Sequence, residues 1–354
     1  MKFASQEIVI GTRPVGPDHP PFVIAEMSGN HNQSLERALA IVEAAARAGA
    51  HALKLQTYTA DTMTIDVRHG EFAIADSGSL WAGNSLYDLY EKAHTPWEWH
   101  GPLFKRAAEL GMMAFSSPFD ESAVDFLETL GVPCYKIASF ENTDHPLIRR
   151  VAATGKPIIM STGMATLAEL DESVRVAREA GCRELALLKC TSTYPATPEN
   201  SNICTIPHMR ETFKCQIGLS DHTMGIGAAV AAVALGATVI EKHFTLARAD
   251  GGVDSAFSME PNEFEALVSE SEKAWRSLGD VRYGPSEAEK RSMVFRRSLY
   301  IVQDAKAGER ISKENVRVIR PGYGLPPKHL ESVLGRTFKR DVAKGAPLSW
   351  DIVN

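Results

Sequence analysis

Short apolar segments of strand character alternate with helical segments along residues 21–278, and this alternation constrains the fold more than any other feature. Eight such segments are each followed by a helix, at 21–26, 51–57, 112–117, 134–139, 157–162, 184–190, 215–219 and 238–240. Eight β/α units within roughly 260 residues match the size of a closed TIM barrel. The pattern therefore predicts an α/β protein built on a (β/α)8 barrel.

An open doubly wound sheet would show the same alternation of strands and helices. Sheets of that kind often bind dinucleotides through a G-x-G-x-x-G motif after an early strand, and the early strands of this chain carry none. The closed barrel is therefore favoured, with a barrel domain at residues 1–280. A long insertion at 58–95 interrupts the alternation, and a functional loop over a site would account for its length.

The pattern changes after residue 280. Residues 279–289 are polar and contain Gly284-Pro285, which predicts a linker at 281–294. Residues 295–354 consist of short strand-like segments separated by turns, which predicts a small β-rich domain. So short a domain buries only a small core, so we expect it to pack against something else.

Charge and cysteine content exclude several classes of function. The net charge is -6 and the sequence pI is about 6.0, which argues against a nucleic-acid or membrane-surface role. No apolar run has transmembrane length, and the first ten residues lack the order of a secretory signal peptide. The five cysteines form no C-x-x-C, so we expect buried thiols rather than disulfides or a zinc site. These features predict a cytoplasmic protein.

Polar residues gather at the carboxyl ends of the predicted strands, where TIM barrels carry their active sites. They are Glu26, Lys54, Gln56, Ser116, Ser117, Lys136, Ser139, Glu141, Ser161, Thr162, Tyr194, Ser220, His222, Glu241 and His243. A charged residue in an apolar strand is costly unless it is paired, so Lys54 or Lys136 alone could belong to a structural salt bridge. Two ammonium groups together with several hydroxyls predict an anion site, most simply for phosphate. A lysine that forms a Schiff base, as in an aldolase, is the alternative use of Lys54 or Lys136.

Two histidines follow neighbouring strands of the predicted strand–helix–strand unit at 215–244. Alternation places His222 beside Ser220 and His243 beside Glu241, at the same end of two adjacent parallel strands. The two imidazoles could be structural, or they could share one divalent ion. With the phosphate site, a metal would suit a phosphorylated small molecule that reacts with a carbonyl compound under Lewis-acid activation.

Several motifs together resemble the sialic acid synthase family. They are IAEMSGNHN at 24–32, LKLQ at 53–56, YKIAS-x-E at 135–141, STGM at 161–164, GLSDHT at 218–223 and EKHFT at 241–245. Residues 295–354 resemble the antifreeze-protein-like (SAF) domain of that family. The motifs occur in the family's order and extend along nearly the whole chain, which makes the combination specific.

The resemblance implies a reaction in which phosphoenolpyruvate condenses with an N-acylated amino sugar to give a nonulosonic acid and phosphate. It implies that phosphoenolpyruvate binds Lys54, Lys136, Ser139, Ser161 and Ser220, and that His222 and His243 hold Mn²⁺ or Mg²⁺. Glu26 would transfer protons or direct the attacking water near the reacting carbons. The sugar site would contain Gln56, Glu141, Tyr194 and Asp254. Arg320 would reach from the SAF domain of one subunit into the barrel of its partner, in a domain-swapped homodimer.

Within the family, EMSGNHN and GGVDSAFSMEP resemble the pseudaminic acid synthase branch, whose sugar is 2,4-diacetamido-2,4,6-trideoxy-L-altrose. The N-acetylneuraminate branch typically has glycine where Gln33 stands and asparagine where Ser192 stands, so the role of Ser192 is open. An N-acetylneuraminate or legionaminate synthase with the same mechanism is the alternative. A non-catalytic sugar-binding protein is a third hypothesis, but it gives no reason to keep Glu26, both lysines and both histidines.

Overall fold

A computed structural model describes residues 7–76 and 78–354. The chain divides into two compact units, one ending at Gly279 and the other covering Asp280–Asn354. The first unit begins with an antiparallel pair, β1 (Ile8–Ile10) and β2 (Arg13–Val15). Within the described residues, no helix has the length and apolar character needed to cross a membrane.

Eight parallel strands close into a barrel, which confirms the predicted fold. They are β3 (Phe22–Glu26), β4 (Ala52–Thr57), β5 (Met113–Pro118), β6 (Tyr135–Ile137), β7 (Ile158–Ser161), β8 (Leu185–Cys190), β9 (Gln216–Asp221) and β10 (Val239–His243). Each strand pairs with the next, and β10 closes the ring by pairing with β3. Parallel order brings all eight carboxyl ends to one rim.

Helices cover the outside of the barrel. They are α1 (Leu35–Arg47), α4 (Trp97–Glu109), α5 (Glu121–Thr129), α6 (His145–Ala152), α7 (Leu167–Glu179), α8 (Thr205–Phe213), α9 (Gly227–Ala234) and α10 (Pro261–Ser277). The insertion at 58–95 contributes α2 (Ala60–Met63) and α3 (Leu86–Ala93). Helices α1, α5 and α7 begin at side-chain N-caps, because the side chains of Ser34, Asp120 and Thr166 each accept a hydrogen bond from the first turn.

The last two barrel strands are longer than the sequence predicted. Strand β9 continues through Ser220 to Asp221, and β10 continues through Glu241 to His243. The apolar runs end earlier, but the parallel backbone ladder does not depend on side-chain polarity and continues to the rim. Position 218 requires glycine, because a Cβ atom there would lie 2.2 Å from the carbonyl oxygen of Val239.

The second unit contains α11 (Glu287–Lys290), β11 (Ser298–Ile301), β12 (Val316–Ile319) and α12 (Leu330–Val333). Strands β11 and β12 pair in an antiparallel sheet, and a small core that includes Ile301, Val333 and Phe338 lies behind it. All five cysteines of the chain are free thiols. Four are buried as expected, whereas Cys204, the residue before α8, is exposed.

Candidate active site

A cluster of four buried charges lies at the carboxyl ends of the barrel strands. Lys54 Nζ lies 2.6 Å from Glu26 Oε2 on the neighbouring strand and 3.0 Å from Glu241 Oε1. Lys136 Nζ approaches the same Glu241 oxygen at 3.4 Å. The two ammonium groups are therefore balanced by two carboxylates, and Glu241 is shared between them. Sequence reasoning placed Glu241 at the rim but did not predict that it joins the two lysines.

The close packing of these charges shifts their proton affinities. Burial lowers the pKa of Lys54 to about 7, with Lys136 acting in the same direction and Glu241 opposing it. Burial acts to raise the pKa of Glu241, but the positive charges of Lys136 and Lys54 prevail and bring it to about 2. Glu241 is therefore ionised at neutral pH, and its charge stabilises the ammonium form of Lys54 against the effect of burial.

The three predicted serines, Ser139, Ser161 and Ser220, are buried at or just beyond the carboxyl ends of their strands. Ser220 Oγ donates to Glu241 Oε1 at 3.0 Å. Ser161, at the end of β7, has an Oγ without a hydrogen-bond partner in the described part of the chain. Ser139 follows β6, and Gly163 allows the β7 loop to approach it, because a Cβ on Gly163 would lie 2.6 Å from Ser139 Cβ. The φ angle of Gly163 is +47°, a conformation that also favours glycine.

The two predicted histidines lie side by side, with ring centroids 5.3 Å apart. His222 Nδ1 donates to the carbonyl oxygen of Thr191 at 3.0 Å, so its Nε2 atom is the one available to a ligand. The Nδ1 atom of His243 is buried and makes no hydrogen bond to any described residue. Burial lowers the pKa of His243 well below its usual value, and the nearby His222 lowers it further, so this imidazole is neutral.

These histidines have the features of a divalent-cation site with few protein ligands. Neutral imidazoles are common metal ligands, and an unpartnered buried nitrogen is costly unless something binds it. Asp254 Oδ2 lies 3.9 Å from His243 Nδ1 and accepts a hydrogen bond from Ser28. No group of three or more His, Cys, Asp or Glu side chains arranged around one point occurs among the described residues. A metal here would therefore take further ligands from water or substrate.

Aromatic rings border the histidines. The ring of Tyr194 lies 4.6 Å from His222, 5.1 Å from Phe257 and 5.7 Å from Trp81. Phe257 also contacts His243, at 4.9 Å between ring centroids. Trp81 belongs to the insertion at 58–95 and donates from Nε1 to the carbonyl oxygen of Val253 at 2.9 Å. The insertion thus reaches the rim, as the sequence predicted for a loop over a site.

The other three predicted site residues, Gln56, Glu141 and Arg320, lie in different parts of the structure. Gln56 is half-buried near the end of β4, beside Ser117 of β5 in the sheet register. Glu141 lies beyond β6, where burial raises the pKa of its carboxyl to about 7 although Lys136 opposes the shift. Arg320 belongs to the second unit, where it directly follows β12 and has an exposed side chain.

Sequence reasoning missed three residues at the rim: Cys190, Phe257 and Trp81. Cys190 ends β8, and its Sγ lies 3.2 Å from Ser139 Oγ and 4.0 Å from His222 Nδ1. Its position at a strand end was a usable signal. Phe257 and Trp81 lie in segments with irregular patterns, so nothing in their spacing distinguished them from ordinary apolar residues.

Fold and site define a TIM-barrel enzyme whose charged and imidazole side chains meet at the carboxyl ends of the strands. Residues 41–283 match the NeuB family and residues 296–353 match the SAF domain. The chain belongs to the NeuB family. The predicted resemblance to sialic acid synthases, with a C-terminal SAF domain, is thereby confirmed.

Curated relatives span almost the whole chain. A pseudaminic acid synthase from Campylobacter jejuni is 44% identical over 331 residues, which are 94% of this chain and 96% of that protein. A pseudaminic acid synthase from Helicobacter pylori is 42% identical over 334 residues, or 94% and 97% of the two chains. An N,N'-diacetyllegionaminic acid synthase from Legionella pneumophila is 35% identical over 353 residues, covering 98% of each.

Solved structures agree with the fold. An N-acetylneuraminic acid synthetase from Leptospira borgpetersenii, in complex with citrate, superposes with a TM-score of 0.72 at 31% identity. That match covers 82% of this chain and 95% of the other. The spore coat polysaccharide biosynthesis protein SpsE of Bacillus subtilis gives a TM-score of 0.68 at 31% identity, covering 99% of both chains.

Proposed function

We propose that this enzyme is a pseudaminic acid synthase. It condenses phosphoenolpyruvate with 2,4-diacetamido-2,4,6-trideoxy-L-altrose and water, and it releases pseudaminic acid and phosphate. The observation that carries the substrate assignment is the 42–44% identity to pseudaminic acid synthases over 94% of the chain, against 35% for a legionaminic acid synthase. The reaction type is supported by two buried lysines, Lys54 and Lys136, and three buried serines at the same rim of the barrel.

Phosphoenolpyruvate would bind Lys54, Lys136, Ser139, Ser161 and Ser220. Its phosphate and carboxylate need cationic and hydroxyl donors, and this group supplies two ammonium groups and three hydroxyls within one buried region. The unpartnered Ser161 Oγ is the clearest support, because a buried hydroxyl without a partner costs free energy unless a ligand completes it. The lysines would balance the phosphate charge as it grows on the leaving group.

His222 and His243 would hold Mn²⁺ or Mg²⁺. The available Nε2 of His222 and the unpartnered Nδ1 of His243 fit such an ion, with Asp254 close by. When bound, the ion would act as a Lewis acid on the aldehyde oxygen of the open-chain sugar.

The bond changes follow from the substrates. The C2–C3 double bond of phosphoenolpyruvate supplies the electrons for a bond from C3 to the aldehyde carbon, whose C=O π bond breaks. The aldehyde oxygen takes up a proton and becomes a hydroxyl, and positive charge is left at C2. Water adds at C2, and the tetrahedral intermediate then breaks its C–O bond to phosphate. Glu26 would handle the proton of the attacking water, because its buried carboxylate ends β3 and lies 2.6 Å from Lys54, which would bind phosphoenolpyruvate. The alignment of both substrates in one lumen would supply much of the rate.

The sugar would contact Gln56, Glu141, Tyr194 and Asp254. A 6-deoxy sugar needs an apolar wall, and the adjoining rings of Tyr194, Phe257 and Trp81 offer one next to the histidines. Arg320 would enter this site from the partner subunit of a domain-swapped homodimer. Its exposed position after β12 leaves its guanidinium available for such a contact.

Phosphate release from phosphoenolpyruvate tests the proposal. The enzyme is assayed with Mn²⁺ and with the altrose-derived sugar, the legionaminate precursor or N-acetylmannosamine in turn, and each assay is repeated with EDTA. We expect turnover with the altrose-derived sugar and its loss with EDTA. Turnover only with another sugar would move the enzyme to that branch, and no release with any of them would contradict the proposed reaction.

A further inference from the structure

A buried ion pair is formed by the two residues that directly precede His222 and His243. Its side chains lie on the opposite face of the barrel sheet from the imidazoles. Lys242 Nζ lies 2.8 Å from Asp221 Oδ2, and the two side chains are 0% and 2% exposed. In the sheet, Lys242 of β10 is in register with Asp221 of β9. Asp221 directly precedes His222 in the chain, and Lys242 directly precedes His243. Because side chains alternate along a strand, Lys242 points away from Glu241 and His243.

The pair also holds the residue that follows His222. Asp221 Oδ1 accepts from the backbone N–H of Thr223 at 2.9 Å and from its hydroxyl at 2.8 Å. Lys242 Nζ donates to the carbonyl oxygen of Thr223. His222 therefore lies between two residues that are both bound to the same buried network. Its own carbonyl oxygen accepts from Ala196 N at 3.1 Å.

Stability alone gives little reason for this arrangement. Taking two charges out of water is expensive, and replacing a buried ion pair by uncharged residues of similar volume is often neutral or stabilising. What the pair does provide is a geometric link, since it connects the backbones of β9 and β10 at the residues just before each imidazole. A hydrophobic contact would not fix that distance or direction as sharply.

We propose that Lys242 and Asp221 are positioning residues that set the two imidazoles at the spacing and orientation needed to bind a divalent cation. The inference rests on the metal role in the proposed function. Neither residue contacts the ion or the substrates. Their effect passes through the backbone of residues 221–223 and 242–243.

The test is a double variant, Asp221→Asn with Lys242→Met, compared with wild type. Asparagine keeps the oxygen that accepts from Thr223, and methionine keeps most of the lysine stem, so the variant removes the link between the strands without leaving an unpaired charge. The control is Glu128→Gln with Lys156→Met, which removes a 2.6 Å ion pair that lies away from the histidines in sequence and is partly exposed. Mn²⁺ affinity is measured by electron paramagnetic resonance titration without substrates, and melting temperature by circular dichroism.

We expect Mn²⁺ to bind the double variant about 10–100-fold more weakly than wild type, with a melting temperature close to that of wild type and of the control. Unchanged Mn²⁺ affinity would overturn the inference. So would a loss of affinity that accompanies a large fall in melting temperature, because the pair would then serve stability alone.

A second measurement uses metal-free protein, so it does not depend on the proposed function. Nuclear magnetic resonance of ¹⁵N-histidine protein reports the proton on His222 Nδ1, which donates to Thr191. We expect this signal to shift or to exchange faster in the double variant but not in the control. An identical signal in all three proteins would overturn the inference, whereas absence of Mn²⁺ binding to wild type would count against the proposed metal role.

Discussion

Lys54 Nζ lies 2.6 Å from Glu26 Oε2, and neither side chain is more than 5% exposed. The two residues are in register on β4 and β3, so the contact follows directly from the pairing of neighbouring strands. A second carboxylate, Glu241, approaches the same ammonium group at 3.0 Å. A substitution that removes the charge of Glu26 therefore leaves Lys54 paired with Glu241. The catalytic role of Glu26 can be tested in this way without disrupting the packing around Lys54.

The variant Glu26→Gln should lose most activity while the fold is kept. If Glu26 handles a proton during the reaction, phosphate release should fall by about 10²–10⁴-fold in kcat. The KM for phosphoenolpyruvate should change much less, because Lys54 keeps its contact with Glu241. The control Glu43→Gln removes a carboxylate from a surface pair with Arg106 and should leave kcat unchanged. A Glu26→Gln enzyme with near-normal kcat would contradict the assigned role.

Borohydride should not trap either lysine with substrate. The lowered pKa of Lys54, about 7, would also suit a Schiff-base lysine, so this alternative needs a direct experiment. We expect full activity after treatment with borohydride in the presence of the sugar or of phosphoenolpyruvate. Mass spectrometry that found a reduced adduct on Lys54 or Lys136 would instead identify a Schiff-base aldolase.

The variant His243→Ala should abolish metal-dependent turnover and leave the barrel folded. We expect phosphate release to fall by at least about 100-fold, because one of only two imidazole ligands is removed. The control His208→Ala changes an exposed histidine of α8 and should have no effect on turnover. Circular dichroism checks the fold, and retention of EDTA-sensitive activity by His243→Ala would show that this residue does not hold the ion.

Stability should fall as the pH drops below 6.5, partly because of His100. This imidazole lies 2.8 Å from Thr57 Oγ1, and burial lowers its pKa to about 4. Between pH 6.5 and 4, His100 is protonated in the unfolded chain but stays neutral in the folded chain. The folded state therefore loses stability as the pH falls through that window. The effect amounts to about 2 kcal/mol by pH 5.

Urea unfolding at pH 7 and at pH 5 measures this contribution. From pH 7 to pH 5, the free energy of unfolding should fall by about 2 kcal/mol more for wild type than for His100→Gln. The glutamine at position 100 does not titrate in this range. His208→Gln, a change at an exposed histidine, should follow wild type. Equal losses for wild type and His100→Gln would show that this histidine does not titrate in the folded state as described.

The variant Arg320→Ala should weaken the sugar more than phosphoenolpyruvate. We expect the KM for the sugar to rise by about tenfold or more, since a hydrogen bond to a charged group contributes about 1.5–3 kcal/mol. The KM for phosphoenolpyruvate should stay within about twofold of wild type. Equal loss of affinity for both substrates would be inconsistent with a role at the sugar.

Co-expression of two impaired chains, assayed at a sugar concentration well below the KM of Arg320→Ala, tests whether Arg320 acts in the partner subunit. In a domain-swapped dimer, a chain with Arg320→Ala has an intact barrel that can receive Arg320 from a chain with Lys136→Met. Random pairing should then restore about a quarter of wild-type activity. Mixed dimers without activity would indicate that Arg320 serves the barrel of its own chain, or that no such dimer forms.

Local signals were sufficient for the architecture. The period of apolar residues identified eight β/α units, and the side-chain chemistry of Ser34, Asp120 and Thr166 marked helix starts. Such signals act within a few residues of each other, so they can be read without knowing the fold. The ends of β9 and β10 could not be predicted from local signals. There the residues are polar, and they stay in the strands because each strand pairs with the other.

Charged residues at the site were visible because a lysine or glutamate in an apolar strand is anomalous. The sequence determined that Glu26, Lys54 and Lys136 must find partners, and that His222 and His243 end neighbouring strands. Only closure of the barrel decided that both lysines share Glu241. Likewise, only strand register joined Lys242 to Asp221 behind the histidines. Such pairings depend on distances between residues far apart in the chain, and these are set by the closed sheet rather than by any local pattern.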